Sequence, residues 1–430
     1  MPATAQHRRM TANALNLVPE LPGPRSRLTE EFCLYPDQAL NAPEEFARYC
    51  RLPSGEWFHY LPDVSYAELY RYHAVDCAGH IRRARAFRNG NYDFALPGFL
   101  HLLRQSATQL GDGKEEEAMK YLGVLLHVLQ DACFGIHALE GPGGSDLFFF
   151  DRLRIGDFSP AEVLARLDCS DFPFFSAAPR MLGTSVPEAA LRLYAHYCRT
   201  ARAARRSCME ILLAHWNGKS ENTASCLSMY RNTVQLCADV LKTVSELATG
   251  KTEASPYMPL AELEPYEFPV GGYGAYRFRT LETDCYYTPD GQKQQLTFPE
   301  AVFRSGLSFG LSAEQNLLYH LPEKTFDRFS GTLLLSGEKD ASVHCRLVNR
   351  GTAVREFVFD ADRPVQTVNL SNPAGEFGFR LTSEAPFGIM VLGDGQICAG
   401  RLASGEINSG TDERASGKAS RKSQKKEAAS

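Results

Sequence analysis

An almost continuous run of apolar residues extends from Tyr121 to Gly141, with the sequence YLGVLLHVLQDACFGIHALEG. Its apolar positions cover nearly the whole circumference of a helix, which is typical of a helix at the centre of a helical domain. His127 and Asp131 interrupt the run four residues apart and therefore share one face. A buried carboxylate requires a cation or a full set of hydrogen-bond donors. With His137 six residues further on, the pattern indicates a metal site, and a structural His–Asp hydrogen bond is the simpler alternative.

Helical periodicity continues on both sides of this central segment. Upstream, SYAELYRYHAVDCAGHIRRARAFRNG predicts a helix over residues 65–90. His73, Asp76 and His80 share one face of that helix and form the main competing metal set. Downstream, two long helices are predicted by VPEAALRLYAHYCRTARAARRSCMEILLAHW and TASCLSMYRNTVQLCADVLKTVSELATG. This half of the chain is therefore expected to be an all-α bundle with its chemistry between facing helices.

The pattern changes after residue 250, where short alternating segments such as AYRFRTL, FSGTLLLSG and REFVFD are separated by turn residues. This alternation predicts an antiparallel β-sandwich of the jelly-roll kind, so the fold class is a multidomain chain of α and β parts. The predicted segments are a poorly ordered N-terminus (1–28), an all-α domain (29–250), a linker (251–268), a β-sandwich (269–403) and a disordered tail (404–430).

Composition narrows the class of protein. Of the 430 residues, 44% are hydrophobic and 23% are charged, as in ordinary globular proteins. The net charge of −5 gives no reason to expect strong electrostatic capture of nucleic acid. We find no apolar run of the ~20 residues that a membrane span needs and no signal peptide. The twelve cysteines form no CxxC motif. We therefore expect a cytoplasmic protein with reduced thiols. The alternative is a mature secreted protein whose leader is not included in this sequence.

The central segment resembles the metal-binding segment of the zinc-dependent phospholipase C family. In that family a His is followed by an Asp four residues later and by a second His six residues after that. His127, Asp131 and His137 reproduce both intervals, and the upstream NGNYDFALPGFLH is also similar to the family's sequence. The resemblance implies the all-α fold of these enzymes, which zinc-dependent single-strand nucleases share.

Two more ligands of the family have counterparts in this chain. The Tyr-Pro-Asp turn at residues 35–37 matches a family turn that supplies an Asp, and His59 lies among aromatic residues as the family's next His does. The resemblance therefore implies one complete zinc site of Asp37, His59, His127 and Asp131. Asp131 would bridge to a second metal. Asp37 would also stand close to the attacking water, which makes it the candidate general base.

The second metal site of the family is completed by a His and by a Glu four residues later. Here SDLFFFDRL occupies that place, so Asp146 replaces the His and Phe150 stands where the Glu is expected. His137 and Asp146 are the predicted ligands. Asp151 and Glu140 are the alternatives for the missing carboxylate.

The third metal of the family is bound by the main-chain amine of an N-terminal Trp and by a nearby His. This chain has no early Trp and offers only His7. We therefore expect no third site, and Zn²⁺ as the cofactor of the first site.

The C-terminal half has a resemblance of its own. The segment LSAEQNLLYHLPEKTFDRFSGTLLLSGEKDASVHCRLVNRG is similar to galactose-binding-like jelly rolls, in particular to the carbohydrate-binding modules appended to glycoside hydrolases. The resemblance implies a glycan as partner. A purely structural or oligomerisation sandwich is the alternative.

The leading functional hypothesis is a zinc-dependent, phospholipase C-like hydrolase. A metal-activated water would cleave a phosphodiester, and the resemblance implies a phospholipid head group as the substrate. The first alternative is a non-catalytic, zinc-stabilised binding protein whose β-sandwich recognises carbohydrate or a protein. The second is a single-strand nuclease, which would need base-stacking aromatic residues beside the metals.

Overall fold

The computed structural model describes residues 4–38, 48–49, 95–135, 138, 154–219, 223–252, 257–265, 267, 281–288, 291–311, 313–337, 342–383 and 388–399. The helices in these residues are α1 (Thr4–Leu17), α2 (Arg25–Glu30), α3 (Tyr35–Gln38), α4 (Ala95–Gly111), α5 (Glu115–Cys133), α6 (Pro160–Ala165), α7 (Val186–Trp216) and α8 (Thr223–Ala248). A 3₁₀ turn, Phe32–Leu34, precedes α3. No helix of this described part is long and apolar enough to cross a membrane.

Helix α5 is the centre of the helical part. Every residue from Tyr121 to Cys133 is buried, and the helix packs against α4, α7, α8 and the 3₁₀ turn. Its first turn carries three glutamates, Glu115 to Glu117, which the partial positive charge of a helix N-terminus stabilises. The sequence prediction of a buried central helix is confirmed.

The two long helices α7 and α8 also form where the sequence predicts them. Helix α7 is capped by Ser185, whose Oγ accepts from the backbone N–H of Glu188 at 3.4 Å. The Glu188 carboxylate in turn accepts from the backbone N–H of Thr184 at 2.8 Å. Such reciprocal capping satisfies donors that the first helical turn leaves without partners.

The prediction of a poorly ordered N-terminus is wrong for α1 and α2. Helix α1 buries Met10, Ala14 and Leu15, and it packs against α8. It also buries polar residues, and Asn13 donates to the Tyr230 hydroxyl of α8 at 2.8 Å. The number of apolar positions underestimates how deeply such a helix is buried. Its polar side chains can be buried because they find hydrogen-bond partners in the folded protein.

The C-terminal part consists of antiparallel strands. They are β1 (Met258–Pro259), β2 (Glu282–Thr283), β3 (Tyr286–Tyr287), β4 (Lys293–Gln294), β5 (Gly306–Gly310), β6 (Glu314–Leu321), β7 (Phe326–Gly337), β8 (Val343–Asn349), β9 (Thr352–Phe359), β10 (Val365–Ser371), β11 (Gly375–Ser383) and β12 (Gly388–Ala399). One sheet has the order β10–β7–β12–β5–β2, with β1 also on β12, and the other has the order β6–β11–β8–β9. Strands β3 and β4 form a separate hairpin.

The two sheets pack face to face. The Phe329 ring of β7 contacts the rings of Phe377 and Phe379 on β11, with centroids 5.0 and 6.0 Å apart. These three side chains are no more than 1% exposed, so they form the core between the sheets. The predicted fold class, a helical part followed by an antiparallel β-sandwich, is confirmed.

The segment predicted as a linker takes part in the sandwich. Met258 and Pro259 pair with Ile397 and Gln396 of β12. Residues 1–400 form one compact unit, and residues 401–430, which include the whole predicted tail, lie outside the described residues. The other predicted domain bounds stay predictions.

Candidate metal centre

The site is built on α5 and depends on a close helix–turn contact. Gly123 lies one turn before His127, and a Cβ at this glycine would be 2.4 Å from the backbone carbonyl group of Phe32. Glycine therefore allows the 3₁₀ turn Phe32–Leu34 to lie directly against α5. This approach brings the carbonyl oxygen of Cys33 to within 2.7 Å of His127 Nδ1.

The Cys33 carbonyl fixes the tautomer of His127. A carbonyl oxygen can only accept, so Nδ1 carries the proton and Nε2 of the neutral ring presents its lone pair. Nε2 lies 3.3 Å from Asp131 Oδ2 and 3.6 Å from Asp37 Oδ1. The lone pair of a neutral imidazole thus faces two carboxylates, an unfavourable arrangement that a proton or a metal ion at Nε2 would relieve.

His7 of α1 belongs to the same site and lies beside His127. Its Nδ1–H donates to Gln130 Oε1 at 2.7 Å, and the Gln130 amide donates to Thr11 Oγ1 at 2.9 Å. Its Nε2 lies 3.5 Å from Asp131 Oδ1. The rings of His7 and His127 are stacked, with centroids 4.0 Å apart and planes at 10°. Both imidazoles therefore direct Nε2 towards Asp131, and each is held through Nδ1.

The electrostatics of the two imidazoles differ. Burial, with the neighbouring His127 adding to it, lowers the pKa of His7 to about 3 and keeps this ring neutral. Burial also opposes protonation of His127, but Asp131 and Asp37 outweigh it and raise the pKa of His127 above its ordinary value. The carboxylates that attract a proton to His127 Nε2 would attract a metal ion to the same place.

The donor set fits a metal ion. One ligand atom each from His7, His127 and Asp131 lie within 4.8 Å of one another, and all three side chains are fully buried. In protein zinc sites an imidazole that binds through one nitrogen donates the other N–H to a carbonyl or similar acceptor. Both histidines meet that requirement, through Cys33 and Gln130. The residues present could therefore hold a divalent cation.

Asp37 lies at the edge of this group. Its side chain is 24% exposed, whereas the other three are closed to solvent. It belongs to α3, which contacts α5 directly. Of the four residues, Asp37 is the one that faces both the buried cluster and solvent.

Three of the predicted site residues, Asp37, His127 and Asp131, come together in the structure. The other predicted residues lie outside the described residues, and their roles stay predictions: they are His59, His137, Asp146, Asp151 and Glu140, with the competing set His73, Asp76 and His80.

The sequence prediction missed His7, which it set aside with the N-terminus. The available signal was the spacing of His7, Thr11 and Ala14, which places them on one face of α1.

Comparisons with known proteins were made by sequence and by structure. No family model and no curated protein matches the chain. Among solved structures, the alpha toxin from Clostridium absonum is 10% identical, covers 90% of this chain and 86% of its own, and has a TM-score of 0.30. Tandem CBM51 modules of a family 98 glycoside hydrolase from Streptococcus pneumoniae are 14% identical, cover 33% of this chain and 46% of their own, and have a TM-score of 0.25.

A structure of the M60 catalytic domain with CBM51 domains from Clostridium perfringens ZmpB is 15% identical over 33% of this chain and 15% of its own, with a TM-score of 0.23. This chain thus spans less than half of the two structures that carry CBM51 modules. Both parts of the resemblance stated from the sequence have counterparts here. At these identities and TM-scores no conclusion is drawn from the likeness, and the chemistry of the site rests on the residues of this chain.

Proposed function

We propose that the protein is a zinc-dependent phosphoester hydrolase that cleaves a phosphodiester with the help of the centre on α5. One observation supports this most directly. Nε2 of His7 and Nε2 of His127 both face the buried Asp131 carboxylate, at 3.5 and 3.3 Å, while both Nδ1 atoms are held by acceptors. A cation at that point would relieve the unfavourable contact of lone pairs with a carboxylate.

Zinc suits the donor set better than magnesium or calcium does. Magnesium and calcium prefer sites made of oxygen ligands, whereas zinc binds imidazole nitrogen and carboxylate oxygen together. His7, His127 and Asp131 would hold the ion. When bound, a zinc ion supplies a Lewis acid for a phosphoryl oxygen and a water that loses its proton near neutral pH.

Asp37 is the residue that we assign to proton transfer. Its carboxylate lies 3.6 Å from His127 Nε2 and is open to solvent, so a substrate and a water could reach it. A carboxylate in this position can accept the proton of an attacking water at Oδ1 or Oδ2 and pass it to bulk solvent. It can also complete the ligand set, as the family resemblance implies.

The substrate class is a phosphodiester. The resemblance of the α5 segment to phospholipases C makes a phospholipid head group the natural candidate. The β-sandwich, by its resemblance to carbohydrate-binding modules, would bind a glycan at the surface where the enzyme works. The phospholipid substrate and the glycan partner are both proposed here. We further propose that the protein is cytoplasmic, with secretion as the alternative.

The test is a metal analysis joined to an activity assay. The full chain, purified without added metal, should contain zinc by mass spectrometry and should hydrolyse bis-p-nitrophenyl phosphate. A chelator should abolish turnover, and zinc should restore it. His7→Gln should lower the zinc content, whereas His344→Gln, on the exposed surface of β8, should leave it unchanged.

Two results would overturn the proposal. Turnover that is insensitive to the chelator would show that the metal is not used. A chain that binds zinc with the wild-type dependence on His7 but cleaves no phosphodiester would instead support the non-catalytic binding protein, in which the metal only stabilises the helical part.

A further inference from the structure

A second site lies at the far end of α7, outside the metal cluster. A cleft of about 830 Å³ is formed by α6, the last turns of α7 and the start of α8. Its apolar floor consists of Val163, Leu167 and Ile211. None of the residues that line it belongs to the metal cluster.

The rim of the cleft is basic. Arg166, His215 and Lys219 line it, and no carboxylate does within the described ranges. None of these three side chains forms an ion pair with another described residue, whereas Arg154, Arg192, Arg202 and Lys242 of the helical part each do. An unbalanced group of cations around a concave surface is an electrostatic site for an anion.

Acidic residues on the elements that form the cleft are engaged with other partners. Glu162 of α6 pairs with Arg154 at 2.6 Å, and Glu210 of α7 accepts from the Ser225 hydroxyl of α8 at 2.6 Å. These contacts direct the two carboxylates to partners other than the rim residues. Asp168, beside Leu167, accepts from the backbone N–H and the hydroxyl of Ser170, both at 2.8 Å. Among the described residues, none of these three carboxylates pairs with a rim cation.

The turn after α7 holds the rim in place. Gly218 has φ +68°, and its N–H donates to the His215 carbonyl at 3.0 Å. The backbone N–H of Lys219 donates to the Ala214 carbonyl at 2.9 Å. This left-handed turn ends the helix and satisfies the carbonyl oxygens of Ala214 and His215. Lys219 and His215 are thus presented from one ordered turn.

We propose that this cleft binds a phosphate monoester. The dianionic phosphate would lie between Arg166 and Lys219, with the His215 imidazole as a further hydrogen-bond partner. The organic part of the ligand would contact the apolar floor. Two fixed cations balance a dianion, and the volume accommodates a ligand of small-metabolite size.

Two sources can supply this chemistry, a soluble phosphate monoester or the head group of a phosphatidic acid. Leu213 and Trp216, on the same end of α7, are 58% and 54% exposed. In the lipid case these side chains would contact the acyl region beside the head group, since Trp favours such an interface. In the soluble case they would have no part in binding.

The first experiment titrates the metal-loaded full chain with glycerol 3-phosphate by isothermal calorimetry. Arg166→Gln and Lys219→Gln should each weaken binding about tenfold or more, because each removes a charge-assisted hydrogen bond. Arg206→Gln removes an exposed arginine from α7 outside the cleft and should leave the affinity unchanged. Since a metal centre also binds phosphate, the chain with both cleft substitutions defines that background.

The second experiment measures co-sedimentation with phosphatidylcholine vesicles, with and without phosphatidic acid. A lipid source predicts binding only to vesicles with phosphatidic acid, weakened by Arg166→Gln and by Leu213→Ser. A soluble source predicts calorimetric binding without vesicle association. The proposal is wrong if neither probe binds the wild type above the background, or if the two cleft variants bind as the wild type does. Because the cleft shares no residue with the metal cluster, this result is independent of hydrolase activity.

Discussion

At the scale of single residues, Asp131 carries its charge where no solvent reaches it. Asp131, His7 and His127 are all fully buried. A carboxylate in such surroundings is strongly destabilised unless opposite charge lies close to it. The two Nε2 atoms that face it supply that charge only with a proton or a metal ion bound. The charge balance of the cluster therefore depends on this one side chain.

Asp131→Asn should lower the zinc content of the purified chain and its thermal stability. Losing one partner of a buried charged group costs roughly 3–5 kcal/mol, and the lost metal adds to this effect. Mass spectrometry and a thermal melt measure the two results. Asp239→Asn, at another buried carboxylate on α8, is the matched control and should keep its zinc. If Asp131→Asn keeps full metal and melts like the wild type, Asp131 is an ordinary buried acceptor.

Gln130→Ala should weaken zinc binding although Gln130 is not a ligand. The Gln130 amide oxygen accepts from His7 Nδ1–H, and this bond fixes the ring that presents Nε2. Loss of such an orienting partner reduces metal affinity by about 10–100-fold. Competition with a chelator measures the change. Gln235→Ala, on α8, changes the same residue type away from the cluster, and equal losses in both variants would contradict the orienting role.

At the scale of elements, the contact of α5 with the 3₁₀ turn positions the site. Gly123→Ala should destabilise the protein, because the new methyl group would meet the Phe32 carbonyl group at 2.4 Å. Overpacking of this kind costs about 1–3 kcal/mol, which exceeds the gain of about 1 kcal/mol in helix propensity. Urea denaturation measures the loss. Zinc affinity should fall as well, since the Cys33 carbonyl moves with the turn. Unchanged stability would contradict the prediction and show that the 3₁₀ turn can shift away from α5 without cost.

The helices differ in how well they could be predicted from the sequence. Helices α5, α7 and α8 were predictable because their apolar periodicity is long, and His127 with Asp131 stood out as polar residues within an apolar run. Helix α1 was not, since it buries Gln6, His7 and Asn13. Their partners lie more than one hundred residues away in sequence, at Leu167, Gln130 and Tyr230 respectively. Local patterns carry no information on such pairings, which exist only after the helices have packed.

Asp37 could be predicted as a site residue only in part, since local patterns did not suffice and the family resemblance was needed. Local reasoning gives only a turn or a helix start for the Tyr-Pro-Asp segment. The family resemblance joined Asp37 to His127, and the structure places the two 3.6 Å apart. The residues that would complete the second metal site, His137 and Asp146, lie outside the described residues and stay predictions.

At the scale of the whole molecule, buried thiols make stability depend on alkaline pH. Burial raises the pKa of Cys169, Cys208 and Cys237 to about 12. Unfolded thiols ionise near ~8.5, so above that pH the unfolded state binds fewer protons than the native state. Stability is then complete below ~8.5 and falls by about 1.4 kcal/mol per pH unit for each thiol until the folded pKa is reached.

Urea denaturation under reducing conditions between pH 8 and pH 11 measures this dependence. Cys208→Ala should reduce the slope of the unfolding free energy against pH by the contribution of one thiol, about 1.4 kcal/mol per pH unit. Cys398→Ala, at a partly exposed position on β12, is the matched control and should leave the slope as it is. A wild-type free energy of unfolding that stays constant over this range would contradict the prediction.

The two imidazoles of the centre come from the first helix and the central helix of the helical half. His7 lies on α1 and His127 on α5, so the site closes a segment of roughly 120 residues, which take of the order of ten seconds to synthesise on the ribosome. During that interval α1 has left the exit tunnel without its partners, with His7 and Gln6 exposed to solvent or to a chaperone. The zinc binding that we propose would therefore be a late event in biogenesis, and a cell short of zinc would then accumulate newly made chains whose first helix is undocked and open to proteases.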